Sequence, residues 1–120
     1  MNKENVSWTQ IEDFVTDLVN IHKEENFVGV YGLPRGGLVI AVMLSNRLNI
    51  PMLLAPCEGC VIVDDIADSG KSLIHYTIND TQFNRYYIAT LYVDDRSIVK
   101  PNYSKYKKDG KWLVFPWESK

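Results

Sequence analysis

Apolar positions change their spacing several times along the chain. Trp8, Ile11, Phe14, Val15, Leu18, Val19 and Ile21 recur at steps of three and four, which predicts an amphipathic helix over residues 8–24. Ser7 with Gln10, or Thr9 with Glu12 one turn later, would supply a capping box at its start. Phe27 to Tyr31 is a continuous apolar run that stops at Gly32, the pattern of a buried strand. Leu33-Pro34-Arg35-Gly36-Gly37 reads as a loop and Leu38 to Leu48 as a helix ended by Asn49 and Pro51. Met52 to Ala55 reads as a strand and Pro56 to Gly59 as a turn. Cys60 to Val63 is another apolar strand, with Asp64 and Asp65 at its carboxyl end. Asp65 to Ser69 then reads as a loop, and Gly70 opens a helix to about Asn79. Tyr86 to Val93 is a further strand, residues 94–110 are polar and turn-rich, and Lys111 to Phe115 is a last short strand before Pro116.

Strands alternating with helices predict an α/β domain whose mostly parallel sheet has helices on both faces. At 120 residues without repeats, the chain reads as a single domain over 1–120. In such sheets ligands bind beyond the carboxyl ends of strands. That rule selects two loops, 32–37 and 64–72.

Composition excludes some classes. A hydrophobic share of 46% with 23% charged residues fits a folded chain and not a disordered one. Thirteen Lys+Arg against 15 Asp+Glu give a net charge of −2, unlike the basic excess of a general nucleic-acid binder. A small anionic ligand needs only a local pocket and stays open. No apolar run approaches the roughly 20 residues of a membrane span. The polar start Met1-Asn2-Lys3-Glu4-Asn5 lacks the apolar core of a signal peptide, so no membrane partner and a cytoplasmic location are expected. Cys57 and Cys60 are too few for a disulfide scaffold. Their C-x-x-C spacing leaves a redox motif or half a zinc site open, but His22 and His75 do not sit at ligand spacing. The simplest reading is two small, semi-buried thiols flanking the turn at Glu58-Gly59.

The chemistry concentrates in Val61-Ile62-Val63-Asp64-Asp65-Ile66-Ala67-Asp68-Ser69-Gly70-Lys71-Ser72. A hydrophobic strand delivers two adjacent carboxylates to a loop of small residues at a helix start. Unpaired N–H groups at such a start, with the hydroxyls of Ser69 and Ser72 and the charge of Lys71, suit a phosphate. Gly70 would let backbone approach the anion closely. A P-loop is the rival, since Gly70-Lys71-Ser72 matches its second half, but Asp65 stands where its first glycine belongs. Two acids before a phosphate cradle suit a ligand with hydroxyls beside its phosphate, as in ribose 5-phosphate. A surface loop with an aspartate cap would explain one acid, not two.

This segment resembles the phosphoribosyl pyrophosphate signature of type I phosphoribosyltransferases: an apolar strand, two acids, then a Ser/Thr-Gly-x-Ser/Thr phosphate loop. The resemblance implies that Asp68, Ser69, Gly70, Lys71 and Ser72 hold the 5-phosphate. It implies that Asp64 and Asp65 hold the ribose hydroxyls and Mg2+, and that Asp68 accepts a proton from the base, so Asp64, Asp65 and Asp68 form the catalytic set. Tyr31-Gly32-Leu33-Pro34-Arg35-Gly36-Gly37 resembles the family's pyrophosphate loop, which gives Arg35, Gly36 and Gly37 that role. Trp112-Leu113-Val114-Phe115-Pro116-Trp117-Glu118 resembles the closing segment of the xanthine–guanine branch, where Trp112 and Leu113 would pack on a purine. A hydrophobic plug of Trp112, Phe115 and Trp117 is the plainer reading, and both can hold together.

The implied activity is a purine phosphoribosyltransferase of nucleotide metabolism and purine salvage. Its partners would be phosphoribosyl pyrophosphate and a purine base or nucleoside monophosphate, and a second copy of the chain in a possible homodimer. Two departures stand out. The purine branch has a lysine at the carboxyl end of the strand after the diacid motif, where this chain has Val93 or Asp94, with Arg96 or Lys100 as substitutes. The family also inserts a flexible loop before the diacid strand, where this chain has only Ala55-Pro56-Cys57-Glu58-Gly59-Cys60. That shortening motivates the alternative of a non-catalytic protein that binds a phosphorylated ribose or nucleotide.

Overall fold

The computed structural model describes residues 2–78 and 86–118. Four parallel strands form the main sheet: β2 (Val30–Gly32), β3 (Val61–Ala67), β4 (Tyr87–Val93) and β5 (Tyr103–Lys107), in that order. Helices α1 (Trp8–Glu25) and α2 (Gly36–Leu48) cover one face. Val30, Val61, Val63, Ala89 and Leu91 point toward them, and Phe14 of α1 stacks on Tyr103 of β5. The other face buries Ile62, Ala67 and Ile88 under Leu73, Val99 and the short helix α3 (His75–Ile78). Alternation along each strand is what feeds two cores from one sheet.

Of the two capping boxes, Ser7 with Gln10 forms: Ser7 Oγ accepts the Gln10 N–H at 3.1 Å and Gln10 Oε1 accepts the Ser7 N–H at 2.9 Å. Asn26 closes the helix in the left-handed region (φ 54°), its N–H donating to His22 O at 2.8 Å.

Several elements differ from the sequence reading. Residues 52–55 form no strand: Met52 makes an isolated parallel bridge to Val30, and the chain bends away at a fully exposed Leu54. The loop expected over 33–37 is shorter, because Gly36 and Gly37 already belong to the first turn of α2. Strand β3 does not end at the acids but runs on to Ala67, because β4 offers a ladder partner as far as Val93. The helix expected from Gly70 is reduced to turns over 71–74, then α3; Gly70 itself sits at φ 84°. Its expected end at Asn79 lies outside the described residues. The polar 94–110 stretch contains β5, an edge strand whose lysines suit a sheet border. Strand β6 (Trp112–Val114) lies outside the main sheet and pairs in parallel with β1 (Lys3–Asn5), which was not expected. Glu4 of β1 accepts from Tyr92 Oη at 2.8 Å and from Lys111 Nζ at 2.8 Å, tying both termini to β4.

Cys57 is exposed and Cys60 buried, both as free thiols on either side of a turn closed by Cys60 N–H to Cys57 O at 3.1 Å. Burial pushes the Cys60 thiol up. Among the described residues no group of three potential metal-binding side chains includes them.

Candidate functional site

The site forms where α2 begins over β3. A side chain at Gly36 would collide with the Asp65 carboxyl, and one at Gly37 would collide with the carbonyl of Val63 and lie 3.3 Å from Asp64 Cα. The glycines therefore let the helix start settle directly on the diacid strand. Arg35, Gly36, Val39, Asp65, Trp117 and Glu118 line a cavity of about 530 Å³ there. Arg35 is exposed, and among the described residues no carboxylate pairs with it.

Asp64 is buried, 8% exposed, and its Oδ1 accepts the Asp65 N–H at 2.8 Å. Burial, and then the adjacent Asp65 charge, pushes the Asp64 carboxyl up to about 8. Burial raises Asp65 as well, with Glu118 adding to the rise and hydrogen bonds from Asp64 and the Ile66 N–H opposing it. Two desolvated acids that pair with no lysine or arginine among the described residues are the arrangement that a cation-bearing ligand or a hydroxyl-rich one would relieve.

Past Ala67, the loop 68–72 is held from one side. Ile98 N–H donates to Ser69 O at 2.9 Å, and Asp94 N–H donates to Ala67 O at 2.9 Å. Lys71 N–H reaches Ser69 Oγ at 3.3 Å, whereas the N–H groups of Ser69, Gly70 and Ser72 donate to no described residue. Gly70 has a further reason for being glycine beside the one expected. A Cβ on it would stand 2.7 Å from Ser97 Oγ and 2.8 Å from Val99 N, so packing against 97–99 and its positive φ already demand it.

Asp68 carries two cations, with Arg96 Nη2 at 3.0 Å and Lys108 Nζ at 3.3 Å from Oδ1. Arg96 also pairs with Asp94 Oδ2 at 3.3 Å, and Lys108 lies 3.9 Å from the same oxygen. Lys108 was missed in the sequence because the strand that delivers it reads as turn. No contact of Lys100 with this cluster is found among the described residues.

The fold thus brings Arg35, Gly36 and Asp65 to one cavity, with Asp64 and Gly37 behind it. Trp112 and Leu113 do not line that cavity: Trp112 is 58% exposed on β6, and Leu113 packs against the main core. Trp117 and Glu118, from the same closing segment, line it. Trp117 stacks on Phe115 at 5.3 Å and meets Trp8 edge-on at 6.0 Å, while Glu118 Oε1 accepts the Phe115 N–H at 2.8 Å. The Pro116-Trp117-Glu118 close of that segment carries their signal in the sequence.

No model of a protein family matches the sequence. Curated relatives include the xanthine-guanine phosphoribosyltransferase of Chromohalobacter salexigens, 23% identical over 94% of this chain and 82% of that one. Among solved structures, the purine phosphoribosyltransferase of Pyrococcus horikoshii is 30% identical with a TM-score of 0.83, covering 100% of this chain and 97% of its own. The xanthine-guanine-hypoxanthine phosphoribosyltransferase of Helicobacter pylori shares the fold at 16% identity and a TM-score of 0.78, over 98% of this chain and 94% of its own.

Proposed function

The chain belongs to the type I phosphoribosyltransferases of the purine kind, and from that premise we propose that it transfers ribose 5-phosphate from phosphoribosyl pyrophosphate to a purine base. The products are a nucleoside 5′-monophosphate and pyrophosphate. The observation that carries this reading is the pairing of a buried and a half-buried acid, neither joined to a lysine or arginine among the described residues, with a neighbouring loop whose Ser69, Gly70 and Ser72 N–H groups donate to no described residue. Those amides and the Ser69 and Ser72 hydroxyls bind the 5-phosphate. The Asp64 and Asp65 carboxylates accept hydrogen bonds from the ribose hydroxyls. Arg35 and the Gly36 and Gly37 amides at the start of α2 bind the pyrophosphate. Trp112 and Leu113 face the base, and Asp68 accepts the proton it loses.

Asp64 and Asp65 also fit Mg2+. The donors are oxygen only, and a magnesium site commonly takes one or two carboxylates and completes its shell with water and substrate phosphates. The chemistry it would supply there is neutralisation of the departing pyrophosphate. The turn at 56–59 is too short to close over the cavity, so exclusion of water rests on the ligands and on Trp117. The Pyrococcus horikoshii relative has nearly this chain's length, so compactness does not set the chain apart from it. The reading places the protein in purine salvage within the cytoplasm.

The test is pyrophosphate release from phosphoribosyl pyrophosphate with guanine, hypoxanthine, xanthine and adenine. Base-dependent release is the expected result. Micromolar donor binding without turnover on any base would make the chain a sensor of phosphorylated ribose instead.

A further inference from the structure

Lys108 stands one residue past the end of β5. Its N–H donates to Val93 O at 2.9 Å, which fixes it beside the last residue of β4. Its ammonium reaches beyond the end of β3 to Asp68, 3.3 Å from one carboxylate oxygen and 3.4 Å from the other. One side chain thus spans the carboxyl ends of three neighbouring strands, the edge where ligands of parallel sheets bind. The turn that follows, closed by Lys111 N–H to Lys108 O at 3.1 Å, leads directly into Trp112.

The two cations on Asp68 are not equivalent. The Arg96 side chain is 72% exposed and touches a single Asp68 oxygen. Exposed pairs of that kind hold little. The Lys108 side chain is 20% exposed, pinned through its own backbone and in contact with both oxygens, which sets the orientation of the carboxylate.

We propose that Lys108 is a positioning residue for the transfer: it holds the Asp68 carboxylate at the angle from which Asp68 takes the proton of the purine nitrogen. The proposal rests on the phosphoribosyltransferase reading. In the step concerned, the nitrogen bonds to C1′ of the ribose. The C1′–O bond breaks with its electron pair leaving on pyrophosphate, and the nitrogen's proton passes to an Asp68 oxygen. Lys108 touches no reacting atom; it acts through the acid.

The experiment compares steady-state kinetics of the wild-type chain, Lys108→Met, Lys108→Arg, Asp68→Asn and the Lys108→Met/Asp68→Asn pair. Loss of orientation is expected to lower kcat about 10–100-fold in Lys108→Met. The donor KM should stay within about twofold, the pattern of an interaction made mainly in the transition state. Lys108→Arg should recover most of the rate. In the Asp68→Asn background Lys108→Met should cost nothing further, because its target is gone. Melting curves check the fold, and Lys108→Gln replaces the methionine variant if that one does not fold. An unchanged kcat, a loss confined to donor KM, or a full additional loss in the Asp68→Asn background overturns the proposal while leaving the enzyme reading standing. Absence of turnover in the wild-type chain overturns both.

Discussion

Asp64 and Asp65 lie under the start of α2 with no lysine or arginine paired to them among the described residues, whereas Asp68, three positions on, is held by two cations. In the first centre Asp64 is buried and Asp65 half-buried, and desolvation pushes both carboxyls up. The second is half exposed, charge-balanced, and assembled from the ends of three strands. The difference separates two tasks. A desolvated acid pair resists ionising until a ligand's hydroxyls or a cation relieve it, so its interactions favour binding. A preassembled acid needs no ligand to hold it and suits a step in which a proton must arrive at a fixed place. Substitutions in the two centres should therefore divide between donor affinity and turnover.

The sharpest way to break this division is Asp68→Asn. It removes the proton acceptor and keeps the side-chain shape, so kcat is expected to fall about 10²–10⁴-fold. Donor affinity, read by calorimetry, should change far less. A parallel loss in both quantities would place Asp68 with the binding acids.

Gly36→Ala attacks the first centre through packing. The new methyl would overlap the Asp65 carboxyl, so either α2 or the acid must move. A displacement near 1 Å is expected to cost about 10²-fold in turnover, together with weaker donor binding. Overpacking should also lower stability by about 1–3 kcal/mol, visible in thermal melts. An alanine variant with wild-type donor affinity would show that the contact between α2 and Asp65 has no part in the site.

Ser72→Ala tests the loop between the centres. One hydroxyl donor is lost while the backbone amides remain, so donor binding should weaken about tenfold, within the range of a hydrogen bond to a charged group. Its kcat should hold at saturating donor. Loss of kcat with unchanged affinity would move Ser72 from the phosphate to the chemistry.

The two centres were unequally legible in the sequence. The acid pair and the loop that follows it can be read because their signals are local: an apolar run, two adjacent carboxylates and a Ser-Gly-Lys-Ser turn within Val61 to Ser72. The reach of β3 through Ala67 could not, because its ladder partner Val93 lies far along the chain. Strand β5 was hidden for a related reason: Ser104, Lys105 and Lys107 mask the alternation that a border strand needs on only one side. With β5 hidden, so is Lys108 and its pairing with Asp68. Arg96 was noticed as a cation near the right strand end, but its pairing with Asp68 depends on how 94–97 turns back over Ala67. The packing reason for glycine at position 70 is not legible, since its neighbours Ser97 and Val99 are remote in sequence.

The smallest expected effect is one of stability, and it runs opposite to activity. Unfolded, Asp64 ionises near the ordinary carboxylate value of 3.8; folded, burial beside Asp65 keeps its proton up to about pH 8. Between those values the native state binds more protons than the unfolded one, so this site's contribution to stability is full below about pH 4 and is lost as pH rises toward 8. Asp64→Asn removes the titration. The variant should match the wild type in melting temperature near pH 4 and exceed it by about 3–6 °C near pH 8, the shift that roughly 1 kcal/mol produces in a domain of this size. The same substitution should weaken donor binding. Saturating phosphoribosyl pyrophosphate with Mg2+ should then narrow the gap at pH 8, because only the wild type gains full stabilisation from the ligand. A variant that melts below the wild type at pH 8 without ligand would mean that the acid pair holds the fold together, and that its burial reflects structure and not a site waiting for charge.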